Sequence, residues 1–174
     1  PEGALPYGAY HYTYDLKTIE AIWQNSFGQE ALLNLPPLEK PLAFLRSGRW
    51  KVTNAYWAQA IANQYEADVI AGMDDEKHNA AFLFRPNQMA AMRYEKTVLV
   101  PISEYIPFSS MRFWSRFIAN QFGITQSFSP GSGAKVFQSS VPLSISICYE
   151  ETYGDHCRKG RMQGAERFVN LTNA

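Results

Sequence analysis

The segment that most constrains the fold is the run from Val141 to Tyr149, in which apolar residues alternate with small or polar ones. This two-residue period is typical of a half-buried strand. The alternation places the thiol of Cys148 opposite the aliphatic side chains, near the strand's end, and Glu150 shares that face if the strand continues. A thiol close to carboxylates can act as a nucleophile. A free cysteine is more commonly a small buried hydrophobe, so the local pattern leaves both interpretations open.

Helix and strand patterns alternate along the rest of the chain. Asp15 precedes apolar residues at helical spacing, which predicts a capped helix containing Leu16, Ile19, Ile22 and Trp23. We expect a second helix over residues 50–64, an irregular excursion over 34–48, strands at 67–72, 80–84, 98–100 and 167–172, and a turn at 85–88. This alternation predicts a layered α/β domain.

Composition limits the classes of protein to which the chain can belong. Its 174 residues are 46% hydrophobic and 18% charged, which is typical of one globular domain with a sizeable core. The formal net charge is zero and no basic tract is present, which argues against nucleic-acid binding. No apolar run reaches the ~18 residues of a membrane span, and no secretory signal opens the sequence. We therefore expect a soluble domain or the soluble part of a larger protein.

The three histidines and two cysteines suggest neither a metal site nor a disulfide framework. His11, His78 and His156 lack metal-ligand spacing, and each is expected to be a surface or loop residue. Cys148 and Cys157 are too few for a disulfide framework, although the sequence leaves open whether they pair. A nucleophilic Cys148 would then need a base other than histidine.

Two charged residues stand in apolar segments punctuated by proline. Glu2 lies within residues 1–6, and Lys96 precedes the run Thr97–Pro101. A buried carboxylate can serve as general base to a thiol, and a lysine can favour the thiolate and stabilise an oxyanion. Either residue alone is more often a solvated surface charge.

Glu, Lys and Cys in this order and in these settings resemble the carbon–nitrogen hydrolase (nitrilase) superfamily. Within it, Tyr94–Phe108 is similar to the lysine segment of the bacterial apolipoprotein N-acyltransferase family, and Ile147–Glu150 to its nucleophile segment. Residues 170–173 resemble the strand that follows, residues 1–6 the general-base segment, and residues 78–81 a Tyr-Asn-Ser stretch. The resemblance spans nearly the whole chain.

The resemblance implies a fold and a set of site residues. The fold would be an α/β, nitrilase-like four-layer αββα sandwich, of which residues 1–174 form part of a single domain that is incomplete at both ends. The upstream membrane region and the C-terminal strands of the family would lie outside it. Glu2 would be the general base, Lys96 the electrostatic stabiliser and Cys148 the nucleophile, with Glu104 and Glu150 in supporting roles. No metal or other cofactor is implied.

The implied reaction has two acyl-transfer steps. Cys148 would take a fatty-acyl chain from a phospholipid as a thioester and pass it to the N-terminal amine of diacylglyceryl-cysteine on an apolipoprotein. The implied location is the bacterial inner membrane, with the catalytic domain facing the periplasm. The aromatic-rich insertion at residues 109–133 would be either an arm that meets lipid or a cover for the core.

Two other functions stay open. A soluble nitrilase-type amidase would use the same triad to hydrolyse a C–N bond. A degenerate binding or scaffold domain would keep the motifs without turnover, and its Cys148 would not be unusually reactive. The sequence also leaves open whether residues 1–174 are active on their own.

Overall fold

The computed structural model describes residues 8–11, 13–75, 77–107, 113, 116–117, 120–121 and 127–172. Within them, nine strands form three sheets, joined by three α-helices and two 3₁₀ helices. In chain order the elements are β1 (Thr13–Asp15), α1 (Leu16–Phe27), a 3₁₀ helix (Gln29–Asn34), β2 (Ala43–Arg46), β3 (Arg49–Thr53), α2 (Asn54–Tyr65), β4 (Val69–Gly72), β5 (Ala80–Phe84), β6 (Met92–Glu95), β7 (Val136–Phe137), β8 (Leu143–Ile147), a second 3₁₀ helix (Cys148–Thr152), α3 (Gly154–Met162) and β9 (Arg167–Leu171). No helix in the described part of the chain is long and apolar enough to cross a membrane.

Each sheet has three described strands. Their orders are β1-β3-β2, β4-β5-β6 and β7-β8-β9. All neighbouring strands are antiparallel except β8 and β9, which run parallel with Ser146 beside Asn170. Because parallel strands need a crossover, α3 connects this last pair, and the carboxyl ends of β8 and β9 meet at the same edge.

Strand β5 is buried on both faces and divides two hydrophobic cores. Phe82 and Phe84 pack with alanines of α2, whereas Leu83 on the opposite face packs with Ile145 and Ile147 of β8. This division follows from the alternation of side chains across a strand. The order of layers is therefore α2, the sheet of β4 to β6, the sheet of β7 to β9, and α3.

Helix α3 covers the second face of β8. His156 is buried, its Nε2 donates to the carbonyl of Ile145 at 2.9 Å, and its ring packs edge-on against Tyr94. Gly160 lies against Ser144. These contacts complete the predicted αββα sandwich, which is confirmed. His156 was wrongly expected at the surface, because the sequence does not show that α3 returns over the sheet.

Several predicted elements are confirmed. Helix α1 begins after Asp15, whose side chain accepts from the backbone N–H of Lys17 at 3.2 Å, although Ile22 is exposed and lies off the buried stripe. Strands β4, β5 and β9 lie at the predicted places. The turn at 85–88 is also present, with the N–H of Gln88 donating to the carbonyl of Arg85.

Two predicted elements between residues 34 and 64 are right only in part. The helix expected over residues 50–64 is confirmed as α2 from residue 54 onward, but residues 50–53 belong to β3. Residues 43–46 form strand β2 instead of part of an irregular excursion. Ser47 and Gly48 both have positive φ, so they join β2 and β3 in a tight hairpin. This hairpin turn was not recognised in the sequence.

Two further predictions, on β8 and residues 98–100, are also corrected. Strand β8 was expected to be half-buried, but α3 buries its Ser144 and Ser146 face as well. Residues 98–100 are not a strand, because carboxylates bind the backbone N–H groups of Val98 and Val100. Most of the 109–133 segment lies outside the described residues.

The close approach of α3 to β8 makes Gly160 sensitive to substitution. A Cβ atom there would lie 2.8 Å from the Cβ of Ser144, so Gly160→Ala should lower the free energy of unfolding by about 1–3 kcal/mol through overpacking. Gly154→Ala is the matched control, because nothing lies within 4 Å of its added Cβ on the same helix. Thermal unfolding measures both variants. Equal stability of the two variants would contradict this packing.

Candidate functional site

Cys148 stands at the point where β8 ends and the chain turns sharply. Its φ is 53°, in the left-handed region that side chains other than glycine rarely adopt. The strand does not continue to Glu150, as the alternation had suggested. Instead, the 3₁₀ helix that begins at Cys148 turns Glu150 into the interior, where it is fully buried. The thiol is half-buried against the core of Leu83 and Ile147, and both Cys148 and Cys157 are free.

The carboxylate of Glu150 accepts hydrogen bonds from three parts of the chain. Oε1 accepts from the N–H of Thr97 at 2.6 Å, from its hydroxyl at 2.8 Å, and from the N–H of Val98 at 3.0 Å. Oε2 accepts from the N–H of Ile147 at 2.8 Å, and the Tyr94 hydroxyl lies 2.8 Å from both oxygens. An ionised carboxylate can only accept hydrogen bonds, and each of these partners is a donor. Both buried oxygens of Glu150 therefore have hydrogen-bond partners.

Tyr94 is buried at the centre of this arrangement. Burial and, secondarily, the charge of Glu150 raise the pKa of the Tyr94 phenol well above its ordinary value. The hydroxyl therefore keeps its proton and remains a donor to Glu150. Since Tyr94 lies on β6 directly opposite Ala81 of β5, the carboxylate is anchored to the central sheet.

Lys96 is buried and paired. Only 1% of it is exposed, and Nζ lies 2.9 Å from Oε1 of Glu104. The same oxygen accepts from Nδ2 of Asn79 at 2.7 Å, and Oε2 accepts from the N–H of Val100 at 2.8 Å. A buried ion pair is tolerated only when further hydrogen bonds satisfy its remaining lone pairs, and Asn79 and Val100 supply them.

The backbone of Lys96 is also fixed on both sides. Its N–H donates to the carbonyl of Asn79 at 2.9 Å, and its carbonyl accepts from the N–H of Gly131 at 2.8 Å. A Cβ atom at residue 131 would lie 2.6 Å from the Cβ of Glu95, so only glycine allows this approach. The lysine is therefore held by its charge and its main chain together.

The structure joins the lysine segment to the cysteine segment. Thr97 follows Lys96, and Glu150 comes two residues after Cys148, so the bonds between Thr97 and Glu150 hold the two segments together. Four of the predicted site residues thus lie in one connected arrangement, whereas Glu2 lies outside the described residues.

Sequence reasoning missed three residues of this arrangement. Tyr94, Thr97 and Asn79 lie in segments that resemble the family, but nothing in their spacing marks them as partners of buried carboxylates. The described part of the chain contains no group of three His, Cys, Asp or Glu side chains placed to hold a metal ion.

An apolar groove of about 450 Å³ opens beside the lysine segment. This volume lies in the range of small-molecule sites, and most of its wall is aliphatic or aromatic. The described lining residues are Thr97, Val98, Leu99, Tyr105, Ile106, Ser127, Phe128 and Pro130.

Loss of an acceptor at Glu150 should destabilise the protein. Glu150→Gln turns one oxygen into an amide group that faces donors, so we expect a loss of at least ~2 kcal/mol in unfolding free energy. Glu166→Gln is the control, because it removes a charge at an exposed residue away from these contacts and should change stability by no more than ~0.5 kcal/mol. Equal thermal unfolding of the two variants would refute the assigned contacts.

The Tyr94 hydroxyl has an additional signature at alkaline pH. Tyr94→Phe should cost ~1.5–3 kcal/mol near neutral pH, because it removes a hydrogen bond to a charged group. The pKa of the Tyr94 phenol is higher in the folded protein than in the unfolded chain. The unfolded chain therefore releases the phenol proton first, and the folded protein loses stability as the pH rises past ~10. Above that pH, the unfolding free energy of Tyr94→Phe should fall less steeply than that of the wild type, by ~1.4 kcal/mol per pH unit. Tyr10 and Tyr56 also have raised pKa values, but they contribute equally to both proteins. Parallel curves of stability against pH for the two proteins would contradict the assignment of a buried Tyr94 phenol.

Known proteins resemble this chain in sequence. An apolipoprotein N-acyltransferase of Chlamydia trachomatis is 32% identical over 183 aligned residues, which cover 99% of this chain and 31% of the relative. The apolipoprotein N-acyltransferase 2 of Treponema pallidum is 35% identical over 55% of this chain and 18% of its own length. The chain thus spans less than a third of the length of these relatives.

Structure and family comparisons agree on the fold. A solved amidase from Nesterenkonia sp. AN1, with acrylamide added at its active-site cysteine, has a TM-score of 0.50 and 15% identity over 98% of this chain and 64% of its own. At this identity the likeness concerns the fold alone. The carbon–nitrogen hydrolase family profile matches residues 32–174, which is most of the chain. The chain belongs to the carbon–nitrogen hydrolase family.

Proposed function

We propose that this chain carries the catalytic site of an N-acyltransferase that moves a fatty-acyl chain from phospholipid to the N-terminal amine of an apolipoprotein. The observation that carries the proposal is the set of hydrogen bonds from Thr97, Val98 and Ile147 to Glu150, which we call the Glu150 junction. It holds the segment that follows buried Lys96 against the turn that contains Cys148. The similarity to named apolipoprotein N-acyltransferases over 99% of the chain supports the choice of reaction.

The first step forms a thioester. Glu2 takes the proton of the Cys148 thiol, and the thiolate attacks the ester carbonyl of the phospholipid. The Lys96 ammonium stabilises the negative charge that develops on the carbonyl oxygen. The C–S bond forms, the C–O bond breaks, and Glu2 returns the proton to the departing alkoxide, which leaves as a lysophospholipid.

The second step transfers the acyl chain to nitrogen. The amine of the diacylglyceryl-modified N-terminal cysteine attacks the thioester, so that a C–N bond forms and the C–S bond breaks. Glu2 accepts the amine proton and passes it to the departing Cys148 thiolate. Thiol, carboxylate and ammonium groups supply all the proton and charge movements, so neither step calls for a metal or an organic cofactor.

The proposed roles of Glu104 and Glu150 are to position the reacting groups. Glu104 contacts Lys96 directly and holds its ammonium in the interior. Glu150 accepts hydrogen bonds from backbone and hydroxyl groups of the two segments. We therefore assign Glu104 to the orientation of the charge and Glu150 to the spacing of the segments.

A lipid substrate is supported by two apolar surfaces. The apolar groove is lined by Thr97, the residue that follows Lys96, and we assign it to an acyl chain whose carbonyl end is directed toward the lysine. Phe113 and Phe117, in the 109–133 arm, are 87% and 52% exposed, which suits contact with lipid. We place the whole protein at the bacterial inner membrane, with this domain on the periplasmic side.

Mass spectrometry of the full-length protein incubated with phospholipid tests the reaction. We expect a fatty-acyl mass on Cys148, its loss in Cys148→Ala, and its retention in Cys157→Ala, because the second free thiol lies on α3 outside the Glu150 junction. Glu2→Gln should also abolish transfer, because it removes the base.

Each alternative gives a different result in that experiment. Amide hydrolysis without an acyl adduct would favour the amidase. A Cys148 that neither acylates nor reacts unusually fast with an electrophilic probe would favour the scaffold. Loss of the adduct in Cys157→Ala, with Cys148→Ala still modified, would show that the nucleophile is wrongly assigned.

A further inference from the structure

Asn170 makes three hydrogen bonds at the carboxyl edge of β8 and β9. Its Oδ1 accepts from the hydroxyl of Ser146 at 3.0 Å. Its Nδ2 donates to the carbonyl of Cys148 at 3.2 Å and to Oε2 of Glu151 at 2.7 Å. Both N–H bonds and the carbonyl oxygen of the amide are therefore used, and the three partners allow only one orientation of the group.

The bond from Asn170 to Cys148 acts on a residue whose backbone conformation is unfavourable. A φ of 53° is disfavoured for a residue with a side chain, so neighbouring groups must hold it. The bond from Asn170 fixes the plane of the peptide between Cys148 and Tyr149. Because that peptide is trans, its N–H points away from its carbonyl, so the N–H of Tyr149 is turned away from Asn170.

We propose that Asn170 is a positioning residue for the nucleophile, which holds the Cys148 peptide so that the thiol has a fixed direction. This inference rests on the proposed function of Cys148. It adds that the parallel pairing of Ser146 with Asn170 brings the amide to the required place, one residue beyond the end of β8. An amide suits this position, because it can donate to both the Cys148 carbonyl and Glu151 while accepting from Ser146.

Asn170→Asp is the sharpest variant, because it keeps the size of the side chain and removes both donated protons. It also places a second carboxylate beside Glu151, near the thiol. Asn170→Ala removes the bonds without adding charge. Ser146→Ala removes only the third bond and leaves both donations from Nδ2. Ile145→Val is the control for stability, because it shortens a buried side chain of β8 outside the amide contacts.

The first measurement is the single-turnover acylation of Cys148 in the full-length protein, using micelles of phosphatidylethanolamine, phosphatidylglycerol and detergent. We expect Asn170→Asp and Asn170→Ala to slow acylation by about 100-fold at saturating lipid, as displaced reacting groups do. The lipid concentration for half-saturation should stay unchanged, and Ser146→Ala should be slowed less than Asn170→Ala, because it removes one of the three bonds that orient the amide. Acylation of Asn170→Ala at the rate of Ile145→Val would overturn the proposal.

The second measurement needs no lipid and separates this inference from the proposed function. The rate at which iodoacetamide alkylates Cys148 is followed against pH in the same proteins. Asn170→Asp should shift the midpoint to higher pH, because an added carboxylate disfavours the thiolate. Asn170→Ala adds no charge, and its alkylation rate on the high-pH plateau should differ from that of Ile145→Val because the thiol loses its fixed direction. Equal plateau rates for these two variants would overturn the positioning role. If the wild type forms no acyl adduct but the plateau rates differ as expected, the proposed function fails and the positioning role of Asn170 stands.

Discussion

Burial of the Glu150 carboxylate is the constraint on which the arrangement of the site depends. Removing a carboxylate from water costs several kcal/mol, so a folded chain must surround it with donors. Those donors come from Tyr94, Thr97, Val98 and Ile147, which lie on two different sheets and the loop after β6. Satisfying this one charge therefore sets the spacing between the lysine segment and the turn at Cys148.

A second buried carboxylate shapes the same loop. Glu104 binds the N–H of Val100 and the ammonium of Lys96, while Glu150 binds the N–H groups two and three residues earlier. With these backbone donors directed at carboxylates, residues 98–100 cannot pair as a strand. The loop instead begins at Thr97, which follows the buried Lys96 and lines the apolar groove.

The sequence predicted the layers better than it predicted the site. Periodicity located α1, β4, β5 and β9, because each buries a stripe or a face that the sequence records directly. The same rule located β8 but not the burial of its serines by α3, since long-range packing leaves no local trace. The resemblance to the family predicted site roles for Lys96, Glu104, Cys148 and Glu150, which lie in one connected arrangement. It did not show that Tyr94 and Thr97 bind Glu150, because these bonds join residues more than fifty positions apart.

Hydrogen exchange in wild type and Glu150→Gln tests this account most directly. If one carboxylate holds both segments, peptides covering residues 92–104 and 143–152 should lose protection together in the variant, while those covering α1 stay protected. Loss of protection confined to residues 143–152, with 92–104 unchanged, would contradict the claim that Glu150 joins the lysine to the cysteine.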